Sequence, residues 1–153
     1  EYAEDITKVG MSHLDLVEKI EKKIRDLGGK PAFPIDVSID SIAAHQTPNV
    51  GDQKVLEKGQ VVKVDIGTHI NGCVTDTAVT VLLGNEWKDL KKAADDALKA
   101  AIEQSVPGNK IRNVGKAIDA ARQAARAYGG GDAVGAQFIA PDDDVIIRHR
   151  GWN

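Results

Sequence analysis

Two aspartates, Asp65 and Asp76, interrupt a segment otherwise dominated by β-branched residues: Val61-Val-Lys-Val-Asp65-Ile-Gly-Thr-His-Ile70 and Cys73-Val-Thr-Asp76-Thr-Ala-Val-Thr-Val-Leu-Leu83. Asn71-Gly72 separates the two runs and predicts a hairpin with a two-residue turn. Ile70 then faces Cys73, Asp65 lies opposite Ala78, and Asp76 lies opposite Gly67. Residues 65, 67, 76 and 78 share one face, with the two carboxylates as diagonal neighbours, Cα atoms roughly 7–8 Å apart. Side chains converging from that separation could bracket two cations spaced about 3.5–4 Å, as two-metal hydrolases require. A carboxylate taken out of water must be paired, hydrogen-bonded, protonated or bound to a metal. The competing reading is a solvent-facing surface, because Lys63 and Thr80 lie on the same face. On geometry alone the solvent face has the better claim.

The flanking pattern supplies the elements that must hold this hairpin. Leu14, Val17, Ile20, Ile24 and Leu27 recur at helical spacing and stop at Gly28-Gly29. Pro31-Ala-Phe33-Pro34 must be extended or turned, since each proline restricts its predecessor. Residues 35–45 read as a short strand and turn ending at His45. A second helix is marked by Leu90, Ala94, Ala97, Leu98, Ala101 and Ile102 and is broken at Pro107-Gly108. A third, marked by Ile111, Val114, Ala117, Ile118, Ala121 and Ala125, ends at Gly129-Gly-Gly131, and Val145-Ile-Ile147 suits a last short strand. This order implies an α+β fold, an antiparallel sheet with helices packed on one face.

Composition narrows the function. At 153 residues, 42% hydrophobic and 28% charged, the chain suits one domain with a real core. A net charge of −3 gives no basis for binding nucleic acid or an anionic membrane, and 4% aromatics leave little for base stacking. No apolar run approaches the roughly 18 residues of a membrane-spanning helix, and no secretory signal precedes the fold. The single Cys73 cannot form an internal disulfide, which fits the cytoplasm. The chain starts at Glu1 without an initiator Met and stops in Arg148-His-Arg-Gly-Trp-Asn153, so both ends read as cut.

Three segments together resemble type II methionine aminopeptidases, most closely the archaeal members: Lys30-Pro-Ala-Phe-Pro34, Ala43-Ala-His45-Gln-Thr-Pro-Asn49, and Lys63-Val-Asp65-Ile-Gly-Thr-His69-Ile-Asn-Gly-Cys-Val-Thr-Asp76-Thr-Ala78. The resemblance holds from the first helix to about residue 127, with 128–153 atypical, and raises the metal reading of Asp65 and Asp76 above the solvent one. It implies half of a pita-bread fold, one partial domain over 1–153, and a metal-dependent enzyme that removes N-terminal methionine from nascent chains. It further implies that Asp65 and Asp76 ligate two divalent ions (Co, Mn, Fe or Zn), Asp76 bridging both. By the same resemblance His45 handles the substrate amide or N-terminus, and Phe33 borders the methionine pocket. Without it, His45 would read as a hydrogen-bonding histidine and Phe33 as a hydrophobic anchor. His69 shares the aspartate face but is no ligand in that family, and His13 belongs on a helix surface.

The departures are specific. Gln46 stands where the family has tyrosine, and a histidine and two glutamate ligands of the family's second half have no counterpart. Ala136-Gln-Phe138 is faintly similar to a metal-binding strand, but Ile139 replaces its glutamate, and His149 matches no ligand. The expectation is a chain incomplete and inactive alone. A homodimer pooling the aspartates of two copies, or an inactive peptide-binding module, are the competing expectations.

Overall fold

The computed structural model describes residues 1–127. The expected end of the third helix at Gly129–Gly131, the Val145–Ile147 strand, and the readings at Ala136–Ile139 and His149 lie outside the described residues. The chain divides into two compact units, one spanning Glu1–Trp87 and one beginning at Lys88.

The first unit contains helices α1 (Tyr2–Ile6) and α2 (His13–Asp26) and strands β1 (Lys30–Pro31), β2 (Asp36–Ile39), β3 (Val61–Ile70) and β4 (Cys73–Leu82). Helix α2 starts where the Ser12 hydroxyl accepts the Asp15 N–H at 3.3 Å, an N-cap that satisfies one orphan donor. It stops at Gly28, φ +86°, where the Gly28 and Gly29 N–H groups close back onto the Arg25 and Ile24 carbonyls. Leu16, Val17, Ile20 and Ile24 form its buried stripe and pack with Ile35, Val37, Val62 and Val64 of the sheet. This helix therefore covers one face of the sheet, as the alternating pattern of β3 requires.

The hairpin has the predicted register throughout: Ile70 faces Cys73, Asp65 faces Ala78, and Asp76 faces Gly67. Asn71 and Gly72 both have positive φ, +51° and +85°, the combination that defines the turn matching strand twist. Strands β1 and β2 both pair with the other edge of β3, but not continuously. Pro31 is opposite Thr68 and Asp36 is opposite Asp65, so four residues, Ala32–Ile35, span a stretch where β3 has only Ile66 and Gly67. The excess chain leaves the sheet: Ile35 is fully buried in the core, while Phe33 is carried onto Gly67.

The second unit has α3 (Lys88–Gln104) and α4 (Ile111–Ala127), which pack against each other across the Pro107-Gly108 turn. Both lie where the periodicity placed them.

His13 does not lie on a helix surface. It is 5% exposed, because residues 52–55 run across the start of α2: Ser12 bridges Val55, and the His13 N–H donates to the Lys54 carbonyl at 3.0 Å. Its Nε2 is buried without a hydrogen-bond partner among the described residues. Burial pushes its pKa below the ordinary 6.5; the Asp52 charge opposes this and the Lys54 charge adds to it. The unfolded chain therefore binds the proton more readily, and this contribution to stability is lost as pH falls through 6.5 toward the lowered value. In urea unfolding, His13→Gln is expected to flatten the loss of stability between about pH 7 and pH 5. Parallel pH profiles for the two proteins would contradict this.

Candidate functional site

The sheet face away from α2 carries Lys63, Asp65, Gly67 and His69 on β3, with Asp76 on β4 and Asp36 on β2. Asp65 and Asp76 form part of a cleft of about 420 Å³, within the usual range for small-ligand sites. Phe33 and Pro34 wall it on the side of the excess loop, and Asp36, His45 and Thr47 on the other. Phe33, His45, Asp65 and Asp76, singled out in the sequence from three separate segments, thus border one cavity.

The His45 loop is held by Asp36. One carboxylate oxygen of Asp36 accepts the His45 backbone N–H at 3.1 Å, and the other accepts the Thr47 hydroxyl at 2.7 Å. Asp36 is itself only 8% exposed, and His45 has φ +61°, a left-handed conformation costly for a residue with a Cβ. Between them Gln46 docks on the edge of β2, its carbonyl accepting the Val37 N–H at 2.7 Å and its side-chain Oε1 the Ile39 N–H at 3.2 Å. Gln46 therefore closes a strand edge that would otherwise be open. Asp36 and Thr47 were not found by sequence reasoning. The only signal was the strand alternation of residues 35–39, which gives no register against β3.

Asp65 is the electrostatic focus. Burial raises its pKa above the ordinary 3.8, followed by the charge of Asp76, a hydrogen bond with Asp76 that needs a proton, and the charge of Asp36; the Ile66 N–H opposes them. Its Oδ1 is buried without a hydrogen-bond partner among the described residues. Three carboxylates gather here, yet Asp36 already has both oxygens engaged, which leaves Asp65 and Asp76 as the pair short of positive charge. Hard oxygen donors in this state suit a divalent cation. Among the described residues no group of three or more His, Cys, Asp or Glu is arranged to hold a metal ion. The pair, with its unsatisfied Asp65 oxygen in the shared cleft, fits as part of a ligand set. His69 shares the face, and its Nδ1 is also buried and unpartnered.

Gly67 lies between the two aspartates, opposite Asp76 and two residues from Asp65. Its φ is not positive; what it provides is space. A Cβ there would lie 2.1–2.6 Å from three atoms of the Phe33 ring.

The family profile described as "Metallopeptidase family M24" matches residues 1–140, and the chain belongs to this family. Among its relatives, the methionine aminopeptidase of Pyrococcus horikoshii is 48% identical over 119 residues, 78% of this chain and 40% of that protein. That of Methanocaldococcus jannaschii is 46% identical over 109 residues, 71% of this chain and 37% of the relative. The crystal structures of methionine aminopeptidases from Rickettsia prowazekii and Thermotoga maritima match with TM-scores of 0.71 and 0.73 at 26% and 25% identity, each over 80% of this chain and 53% of the other. The fold is thus one half of a pita-bread fold, and the chain spans about two fifths of the length of the curated relatives it matches.

Gly67→Ala is expected to cost about 1–3 kcal/mol in urea unfolding, because the ring or the strand must move. Adding Phe33→Ala to it should recover most of the loss. A single variant as stable as the parent, with unshifted Phe33 ring resonances, would contradict the packing described.

Proposed function

We propose that this chain carries one half of a two-metal aminopeptidase centre that removes N-terminal methionine from nascent chains. The observation that carries the reading is the convergence of Phe33, His45, Asp65 and Asp76 on one cleft in a member of the M24 family. The names of the archaeal relatives support the substrate assignment. Asp65 and Asp76 are the residues that would hold the divalent ions, Co, Mn, Fe or Zn. When bound, such ions supply Lewis acidity toward a scissile carbonyl and toward water.

The chain's own residues do the rest of what is assigned here. Phe33 and Pro34 give an apolar wall suited to an unbranched thioether side chain. His45 presents an imidazole that can donate or accept a hydrogen bond at the substrate amide or its free N-terminus. The residues over 1–153 act as one partial pita-bread domain, with the remaining ligands contributed by a second half. We place the protein in the cytoplasm, a reading supported by the exposed free thiol of Cys73. No described helix is long and apolar enough to cross a membrane.

Two carboxylates are too few for turnover, so the chain alone with Mn2+ or Co2+ is expected to release no methionine from Met-Gly-Met. Substituted for the matching segment of the Pyrococcus horikoshii enzyme, it should support metal-dependent release, and Asp65→Ala in that chimera should abolish it. A folded, metal-loaded chimera that releases no methionine would overturn the assignment.

A further inference from the structure

We propose that Asp36 is a positioning residue whose carboxylate, shared between the His45 N–H and the Thr47 hydroxyl, sets the His45 imidazole at the Asp65/Asp76 cleft. The role given to His45 rests on the function proposed above; the hydrogen-bonded geometry does not.

Three observations carry it. First, Asp36 is fixed: it sits in β2 directly opposite Asp65 and is 8% exposed, so its carboxylate cannot swing to other partners. Second, both of its oxygens are spent on one loop, at 3.1 Å to the His45 N–H and 2.7 Å to the Thr47 hydroxyl. Hydrogen bonds to an ionised acceptor are the strong class, and a bidentate arrangement fixes orientation as well as distance. Third, His45 needs such a restraint. It is an exposed residue with φ +61°, a conformation that persists only when its surroundings over-determine it.

The placement of Asp36 has a cost that a purely structural residue would not need to bear. A neutral residue opposite Asp65 would spare the sheet a third negative charge beside the acidic pair. A serine or asparagine could accept the His45 N–H but could not give charged acceptors to both loop donors. The arrangement ties the histidine to the strand that pairs with Asp65, so the distance from imidazole to carboxylate pair is set by sheet register and not by loop length. Asp36 acts on the cleft through His45.

The test is NMR on the full 153-residue chain, as the parent and as Asp36→Ala and Asp36→Asn, with and without Mn2+ as a paramagnetic probe. In Asp36→Ala the His45 amide is expected to exchange about tenfold faster, the loss of roughly one charged hydrogen bond, while Val64 and Val79 stay protected. Asp36→Asn, which keeps one acceptor oxygen, should restore protection to within about threefold of the parent. Mn2+ should broaden Gly67 and the His45 ring in the parent, and in Asp36→Ala should still broaden Gly67 but broaden His45 several-fold less. Unchanged His45 exchange and broadening in a folded Asp36→Ala protein would overturn the proposal. Should the alanine variant lose its sheet resonances, Asp36→Asn decides: protection retained supports the role, and protection lost with an intact sheet overturns it. If Mn2+ broadens neither Gly67 nor His45 in the parent, the metal reading fails, while the exchange arm still decides the role of Asp36.

Discussion

The turn at Asn71-Gly72 puts both of its residues in the left-handed region, and the placement of Asp76 beside Asp65 follows from that. A two-residue turn of this kind leaves no freedom in register: once Ile70 faces Cys73, Asp76 must face Gly67 and lie diagonally from Asp65. A slip of one residue would send one aspartate into the face lined by Val62 and Val64, both fully buried beneath α2. The cost of burying a bare carboxylate there, set against the apolar area of the core, makes the observed register the stable one. The hydrophobic face thus enforces the placement of the charged face.

The second constraint is the mismatch along the other edge of β3. Four residues oppose two between Pro31 and Asp36, and the surplus cannot remain in the ladder. Ile35 takes the core side and Phe33 the cleft side, where Gly67 lets the ring approach the backbone. One irregularity therefore supplies both a core anchor and a pocket wall. On the other flank Asp36, Gln46 and Thr47 lash the loop carrying His45 to β2. The cost is electrostatic, since Asp65 is left beside two like charges with a buried oxygen that has no hydrogen-bond partner among the described residues. In the proposed function this is the charge deficit that divalent ions fill.

Helix α2, the hairpin and its register, and the α3–α4 pair were legible because each rests on local signals: 3.6-residue periodicity, a turn dipeptide, a breaker. Phe33, His45, Asp65 and Asp76, which border one cleft, stand in the three motif segments of the sequence. What the sequence hid depends on contacts between segments far apart in the chain. Asp36 acquires its meaning only from its pairing with Asp65 and from the loop nine residues on. His13 reads as a polar helix residue, and only the passage of residues 52–55 over α2 buries it. Gln46 reads as a substitution beside His45, whereas its side chain closes the edge of β2. No local pattern encodes such pairings.

The sheet brings Asp65 and Asp76 together as a charge-deficient pair suited to a divalent cation. The most direct measurement is a pH titration of the Asp side-chain carboxyl 13C resonances, without metal and with Zn2+. The pairing predicts that Asp65 titrates above 3.8 without metal and that Zn2+ abolishes this high titration. Titration of Asp65 at the ordinary carboxylate value, unmoved by Zn2+, would contradict it.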